Sequence, residues 1–151
     1  MFKNFLYNAK ANIKGGKLYP QINGVVYFNQ TKRGVLITSE IYNLPTFKEN
    51  CKYGIYGFHI HTGTSCTGDE EDEFKDALTH YNPNNCSHPN HAGDLPPLFE
   101  NNGYAYMSFL TNRFKVKDII GKVIIIHDMP DDFRTNPSGN SGKKIACGKI
   151  I

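Results

Sequence analysis

No apolar run in this 151-residue sequence approaches the roughly 20 residues that a membrane-crossing helix requires, so no membrane partner is expected. Cysteine is scarce. Four residues, Cys51, Cys66, Cys86 and Cys147, are too few for a disulfide scaffold of this length, and their spacing is not that of paired zinc knuckles. In a reducing compartment such cysteines are free thiols by default. The net charge is only +3 and the basic residues are scattered rather than striped, which argues against a nucleic-acid partner. Internal repeats and low-complexity tails are absent. The opening stretch Met1-Phe2-Lys3-Asn4-Phe5-Leu6 lacks the apolar core and small-residue cleavage site of a signal peptide. The expectation is a cytoplasmic protein, or an exported one whose leader has been removed. The length suits one domain, residues 1–151, with a sizeable buried core.

Glycine and proline punctuate the chain into short β-rich runs. Strands are expected over 9–14 and 22–29, then, after a hairpin turn at Gln30 to Gly34, over Val35 to Tyr42. Further strands are expected over 53–62, 103–110, 122–127 and 144–151, with Asn101-Asn102-Gly103 as a strong turn signal. One helix is expected over Asp69 to Leu78, its leading acids suiting the helix macrodipole, and 116–120 reads equally as a helical turn or a strand. Seven or eight short strands point to an all-β sandwich or barrel.

What the chain does have is a particular set of histidines. Three of the six lie in the loop His80-Tyr81-Asn82-Pro83-Asn84-Asn85-Cys86-Ser87-His88-Pro89-Asn90-His91-Ala92-Gly93-Asp94, which an aspartate closes. Imidazoles plus a carboxylate on a proline-bearing loop are what a tetrahedral zinc site uses. His59 and His61 are two apart on a strand, so both project from one face and can reach one metal. His127 ends the apolar run Val123-Ile124-Ile125-Ile126. Four imidazoles favour Cu(II), whereas three with a carboxylate favour zinc. Six histidines can supply four ligands to one ion and three to the other only if one imidazole bridges, and His80, standing between the groups, is the natural bridge.

These ordered motifs resemble the copper–zinc superoxide dismutases, from about Gly24 to Ile151. The match runs through Gly57-Phe58-His59-Ile60-His61, His80-Tyr81-Asn82-Pro83, His91-Ala92-Gly93-Asp94-Leu95, Ile126-His127 and Gly139-Asn140-Ser141-Gly142-Lys143-Lys144-Ile145-Ala146-Cys147-Gly148. The short loops and Asp94-Leu95-Pro96 look like the bacterial-type branch. The resemblance implies an eight-stranded Greek-key β-barrel with long metal-binding and channel loops. It implies copper on His59, His61, His80 and His127, and zinc on His80, His88, His91 and Asp94. Asp131 is implied as the carboxylate joining a copper-side to a zinc-side histidine, where an anionic acceptor fixes ring orientation and raises ligand basicity. The activity implied is dismutation of superoxide to dioxygen and hydrogen peroxide, with His80 releasing copper and carrying a proton in each cycle. A disulfide between Cys66 and Cys147 is implied as well. Cys51 and Cys86 have no counterpart in the family pattern; they are either two buried thiols or a second bridge tying the metal loop to the strand before Gly57, and the bridge is the expectation. The family uses differing dimer surfaces, so monomer and homodimer both stay open.

Three departures stand out. Lys144 replaces the family's channel arginine, keeping the charge but losing the planar fork, so activity is expected to be retained, reduced, and weaker at alkaline pH as the ammonium titrates. Only Pro89 and Asn90 separate His88 from His91, which puts the zinc corner in question. The segment Gly68 to Thr79 is long and acidic at its start; lying over the channel it would repel superoxide, and it is expected to point away from copper. A rival reading, a dismutase-like protein that binds or buffers copper with low turnover, draws its support from Lys144 alone. A structural zinc β-sandwich leaves His59, His61 and His127 unexplained.

Overall fold

The computed structural model describes residues 9–151, so the opening stretch read above for a leader lies outside the described residues. The polypeptide is nearly all β. Its strands are β1 (Ala9–Gly15), β2 (Asn23–Thr31), β3 (Gly34–Tyr42), β4 (Ile55–Tyr56), β5 (Phe58–His61), β6 (Leu98–Phe99), β7 (Ala105–Thr111), β8 (Val123–His127) and β9 (Lys144–Lys149). Seven of them form one curled antiparallel sheet in the order β5-β8-β9-β1-β2-β3-β7, and β4 pairs with β6 as a separate ribbon. The chain meanders through β1, β2 and β3, crosses to the opposite edge at β5, and returns to β7 beside β3. The expected barrel therefore takes the form of a half-barrel, and the single strand expected over 53–62 divides at Gly57 into β4 and β5.

The side-chain period of two decides what the sheet buries. In β3 the alternate residues Val35, Ile37, Ser39 and Ile41 point inward, and in β1 Ala9, Ala11 and Ile13 do the same. They pack with Phe28, Phe58, Ile60, Ile124 and Ile126 into the main core. The turn signal before Tyr104 is realised: Asn102 and Gly103 have φ of 51° and 83°, and Tyr104 N–H donates to the Asn101 carbonyl at 3.0 Å.

β8 does not alternate, because both its faces are covered. Ile124 and Ile126 face the main core, whereas Val123 and Ile125 face a second cluster with Phe74, Ala77 and Cys147. Burying a phenylalanine such as Phe74 contributes about 2 kcal/mol, and it pins the 68–79 segment against the outside of the sheet. The helix expected over Asp69 to Leu78 is reduced to a 3₁₀ turn at Lys75–Ala77. Acid side chains take the backbone donors a helix would need. Asp69 Oδ1 accepts the N–H groups of Glu71 and Asp72, both at 3.0 Å, and Asp72 Oδ1 accepts that of Phe74 at 3.1 Å. The 116–120 segment resolves as a single α-helical turn, α1 (Val116–Ile119).

Cys66 and Cys147 form a disulfide across 81 residues, tying the 62–79 segment to β9 beside this second cluster. Cys51 and Cys86 are free and exposed, so the second bridge expected from the sequence does not form. Their loops are held by other means: Cys86 N–H donates to Asn82 Oδ1 at 2.9 Å within its own turn.

Cys66→Ser together with Cys147→Ser should lower unfolding stability by about 4 kcal/mol on the chain-entropy account, read from urea midpoints at constant m-value. Thiol titration of the folded, unreduced protein should count Cys51 and Cys86 and no others; protection of either without denaturant would contradict their exposure.

Candidate metal centre

The antiparallel register sorts β5 onto two faces. Phe58 lies opposite Ile126 and Ile60 opposite Ile124, both in the main core, so His59 and His61 project from the other face beside Ile125 and Val123. His127 shares the parity of Val123 and Ile125 and so joins them. The pairing slips by one residue between Ile126 and His127, which sets His127 opposite Lys144. His80 enters from the loop through a bridge to His61, and Asp94 through a bridge to His59. All six histidines, Asp94 and Asp131 are buried.

Two groups result, and His80 belongs to both. Ligand atoms of His59, His61, His80 and His127 lie within 4.8 Å of one another, as do those of His80, His88, His91 and Asp94. The short His88–His91 link reaches because it turns tightly, with Asn90 N–H donating to the Ser87 carbonyl at 2.8 Å. His88 Nδ1 then lies 3.0 Å and His91 Nδ1 3.3 Å from Asp94 Oδ2, while His80 Nδ1 lies 2.7 Å from Asp94 Oδ1.

Hydrogen bonds fix which nitrogen each ring offers. Asp131 accepts from His59 Nε2–H on Oδ2 and from His88 Nε2–H on Oδ1, each at 2.7 Å, joining the two groups from behind. A carboxylate can only accept, so both rings carry their proton on Nε2 and turn Nδ1 inward. His61 Nδ1–H donates to the Leu78 carbonyl at 2.8 Å and His127 Nδ1–H to that of Gly142 at 3.4 Å. Their Nε2 lone pairs consequently face each other at 3.3 Å. Neighbouring lone pairs repel unless a cation lies between them. Buried His59 Nδ1, His80 Nε2 and His88 Nδ1 have no hydrogen-bond partner. Such orphaned nitrogens are costly in the interior and are what a bound metal satisfies, so the donor set fits copper on one side of His80 and zinc on the other.

The wall behind Asp131 admits only glycine at 139. A Cβ there would sit 2.0 Å from Asp131 Oδ1 and 2.6 Å from His88 Nε2, and the φ of +67° suits glycine.

Burial sets the electrostatics. It lowers His59 to about 4 in spite of the opposing Asp131 hydrogen bond, and it holds His61 and His127 well below the ordinary imidazole value, helped by the neighbouring rings. For Asp131 burial acts upward but is outweighed by the His59, Phe133 and His88 donors, which bring the carboxyl to about 2. Asp94 is likewise lowered, its burial offset by the His80 hydrogen bond and the charges of His80, His88 and His91.

Two residues that carry this centre escape a sequence reading. Arg113 donates from one guanidinium nitrogen to the carbonyls of Pro89, His91 and Asp94 at 3.0, 3.1 and 3.1 Å, clamping the short loop. Carbonyl contacts leave no trace in residue spacing, although a lone arginine just after a strand was there to see. The second is Asp72. The 68–79 segment does not point away from the centre as expected: Asp69 to Glu73 border the same cavity, of about 650 Å³, as His61, His80, His127 and Lys144, and Asp72 Oδ2 accepts from Lys144 Nζ. The segment is turned inward because Phe74 is buried in the second cluster and Cys66 is bonded to β9.

A fold and donor set of this kind have known counterparts. The chain is 37% identical over 139 residues to the superoxide dismutase [Cu-Zn] of Legionella pneumophila, covering 87% of this chain and 79% of that one. It is 34% identical over 154 residues to superoxide dismutase [Cu-Zn] 1 of Aquifex aeolicus (strain VF5), covering 92% and 83%. Among solved structures, a double mutant of a SOD-like protein from Bacillus subtilis superposes with a TM-score of 0.72 at 30% identity, over 92% of this chain and 94% of that one. The family model for copper/zinc superoxide dismutase (SODC) matches residues 22–150, a span that holds every buried histidine of the centre. The chain belongs to the copper/zinc superoxide dismutases, a family of copper- and zinc-dependent oxidoreductases acting on superoxide.

Proposed function

We propose that this chain dismutates superoxide with copper on His59, His61, His80 and His127 and zinc on His80, His88, His91 and Asp94. The observation that carries this reading is His80, whose Nδ1 faces Asp94 and His91 while its unpartnered Nε2 belongs to the other group. When bound, copper supplies the one-electron couple the reaction needs: one superoxide is oxidised to dioxygen, and a second is reduced and takes two protons to become hydrogen peroxide. His80 holds and releases a proton at Nε2, whose basicity a zinc ion held by His80, His88, His91 and Asp94 would tune. Asp131 keeps His59 and His88 in the tautomer that turns Nδ1 inward. Lys144, opposite His127 on β9, borders the cavity with its ammonium paired to Asp72. Arg113 is a positioning residue: it holds the loop that carries His88, His91 and Asp94.

A second reading, copper binding or buffering with low turnover, is favoured by the ion pair that engages Lys144. Superoxide consumption by metal-reconstituted protein, with elemental analysis of the same sample, separates the two. Rapid consumption with copper and zinc bound supports the dismutase; bound copper with negligible turnover supports the buffer.

Replacing Arg113 by methionine should weaken zinc binding about tenfold, measured by chelator competition, with copper affinity changed less. Equal zinc affinity in the variant would remove Arg113 from the site.

The metal-free protein should be acid-sensitive in a defined window. A histidine with a lowered folded pKa contributes stability above its unfolded value of 6.5, where both states are neutral, and loses it as pH falls toward the folded value. His59, at about 4, accounts for about 3 kcal/mol over that range, and His61 and His127 act in the same direction. The depressed Asp131 adds a further loss lower down, as pH falls below 3.8 toward about 2. Urea unfolding should show stability dropping from pH 6.5 to 4 without metal, and starting higher but dropping at least as steeply with metal bound, since bound metal keeps the folded ligands deprotonated while the unfolded histidines still take up protons.

A further inference from the structure

The rim of the metal cavity carries the wrong sign for an anionic substrate. Five consecutive acids from Asp69 to Glu73 border it, against the three ammonium groups of Lys17, Lys143 and Lys144. Lys144 is the cation in register with His127, and its ammonium is engaged at the cavity edge: its Nζ donates to Asp72 Oδ2. The pair is partly buried, with the Lys144 side chain 15% and the Asp72 side chain 41% exposed, so salt and water screen it less than a surface pair. Asp72 is itself fixed. Its Oδ1 accepts Phe74 N–H at 3.1 Å, Phe74 is buried in the second cluster, and the disulfide holds the same segment to β9. Asp72 cannot swing away without giving up that hydrogen bond.

We infer that Asp72 is an access-determining residue for superoxide: by engaging the Lys144 ammonium under an acidic rim, it cancels the charge that would draw the anion toward His61, His80 and His127. The inference rests on the dismutase reading and adds to it a brake on substrate capture. An anion approaching this cavity meets net negative charge, so its capture is slowed at low salt and quickens as ions screen the rim. Focusing by a positive channel would give the opposite salt dependence.

Asp72→Asn isolates the effect, because asparagine keeps the Oδ1 acceptor for Phe74 N–H while releasing Lys144. With copper and zinc loaded, superoxide consumption by the variant at low ionic strength should exceed that of the parent about five- to tenfold, and its rise with salt should become clearly shallower. Azide, a small anion that binds copper and is followed by its visible absorption, should bind the variant tighter by about the same factor. If Asp72 were merely structural, the melting temperature would move and the salt slope and azide affinity would not. An unchanged azide affinity overturns the inference whatever the turnover. Tighter azide binding by a variant whose parent consumes no superoxide would leave the inference standing and overturn the dismutase reading instead.

Discussion

Everything at this centre depends on Asp131 being able to hold two rings at once. Its two oxygens each accept an Nε2–H, one from a strand histidine and one from a loop histidine, so a single buried carboxylate fixes the tautomer on both sides. Turning it aside would cost more than two hydrogen bonds. It would leave His59 and His88 free to rotate, strand a buried charge, and break the carboxylate link between the two histidine groups. The requirement propagates outward. Gly139 must lack a side chain so that Asp131 and His88 can meet, and Phe133 N–H must reach Oδ1, at 2.7 Å, to help keep the carboxylate ionised. The loop joining β8 to β9 is thereby shaped by one carboxylate.

The same centre is a strained interior when no metal is bound. Lone pairs face one another between His61 and His127, and three ring nitrogens are buried without partners. The sheet tolerates this because the opposite face of β5 and β8 is packed with Phe58, Ile60, Ile124 and Ile126, all fully inaccessible. Packing on one face holds open an unfavourable arrangement on the other, which is how a fold keeps a site ready for a cation.

Legibility in the sequence follows the range of the physics. His59 and His61 could be placed on one face because strand periodicity is local, and the loop histidines because Pro and Asn mark the loop. β3 was readable as a β-rich run after a hairpin turn, although its alternation is imperfect. β8 concealed its two-sided burial, since Val123 and Ile125 are covered only by Phe74, Ala77 and Cys147, residues distant in the chain. The inward course of 68–79 was hidden for the same reason. Its acids predict a solvated helix when taken alone, yet Asp69 and Asp72 divert the helical donors and Phe74 takes the segment into a cluster that local sequence does not announce. The expected Cys51–Cys86 bridge failed on geometry of this non-local kind: each thiol sits exposed on its own loop.

The second cluster therefore does more than extend the core. Lys144 and Cys147 lie three residues apart on β9, and Cys147 is bonded to the segment that carries Asp72. Both partners of the ion pair at the cavity mouth are thus referred to one strand, and Phe74 packs with Val123 and Ile125 of β8 in the second cluster. A surface salt bridge would exchange partners with water and contribute little. This one is framed by a disulfide, a buried aromatic ring and a strand register, which hold Asp72 and the backbone of Lys144 in place. Changing the charge at the mouth without changing the fold requires a substitution that leaves the frame intact, and an isosteric change at Asp72 does so.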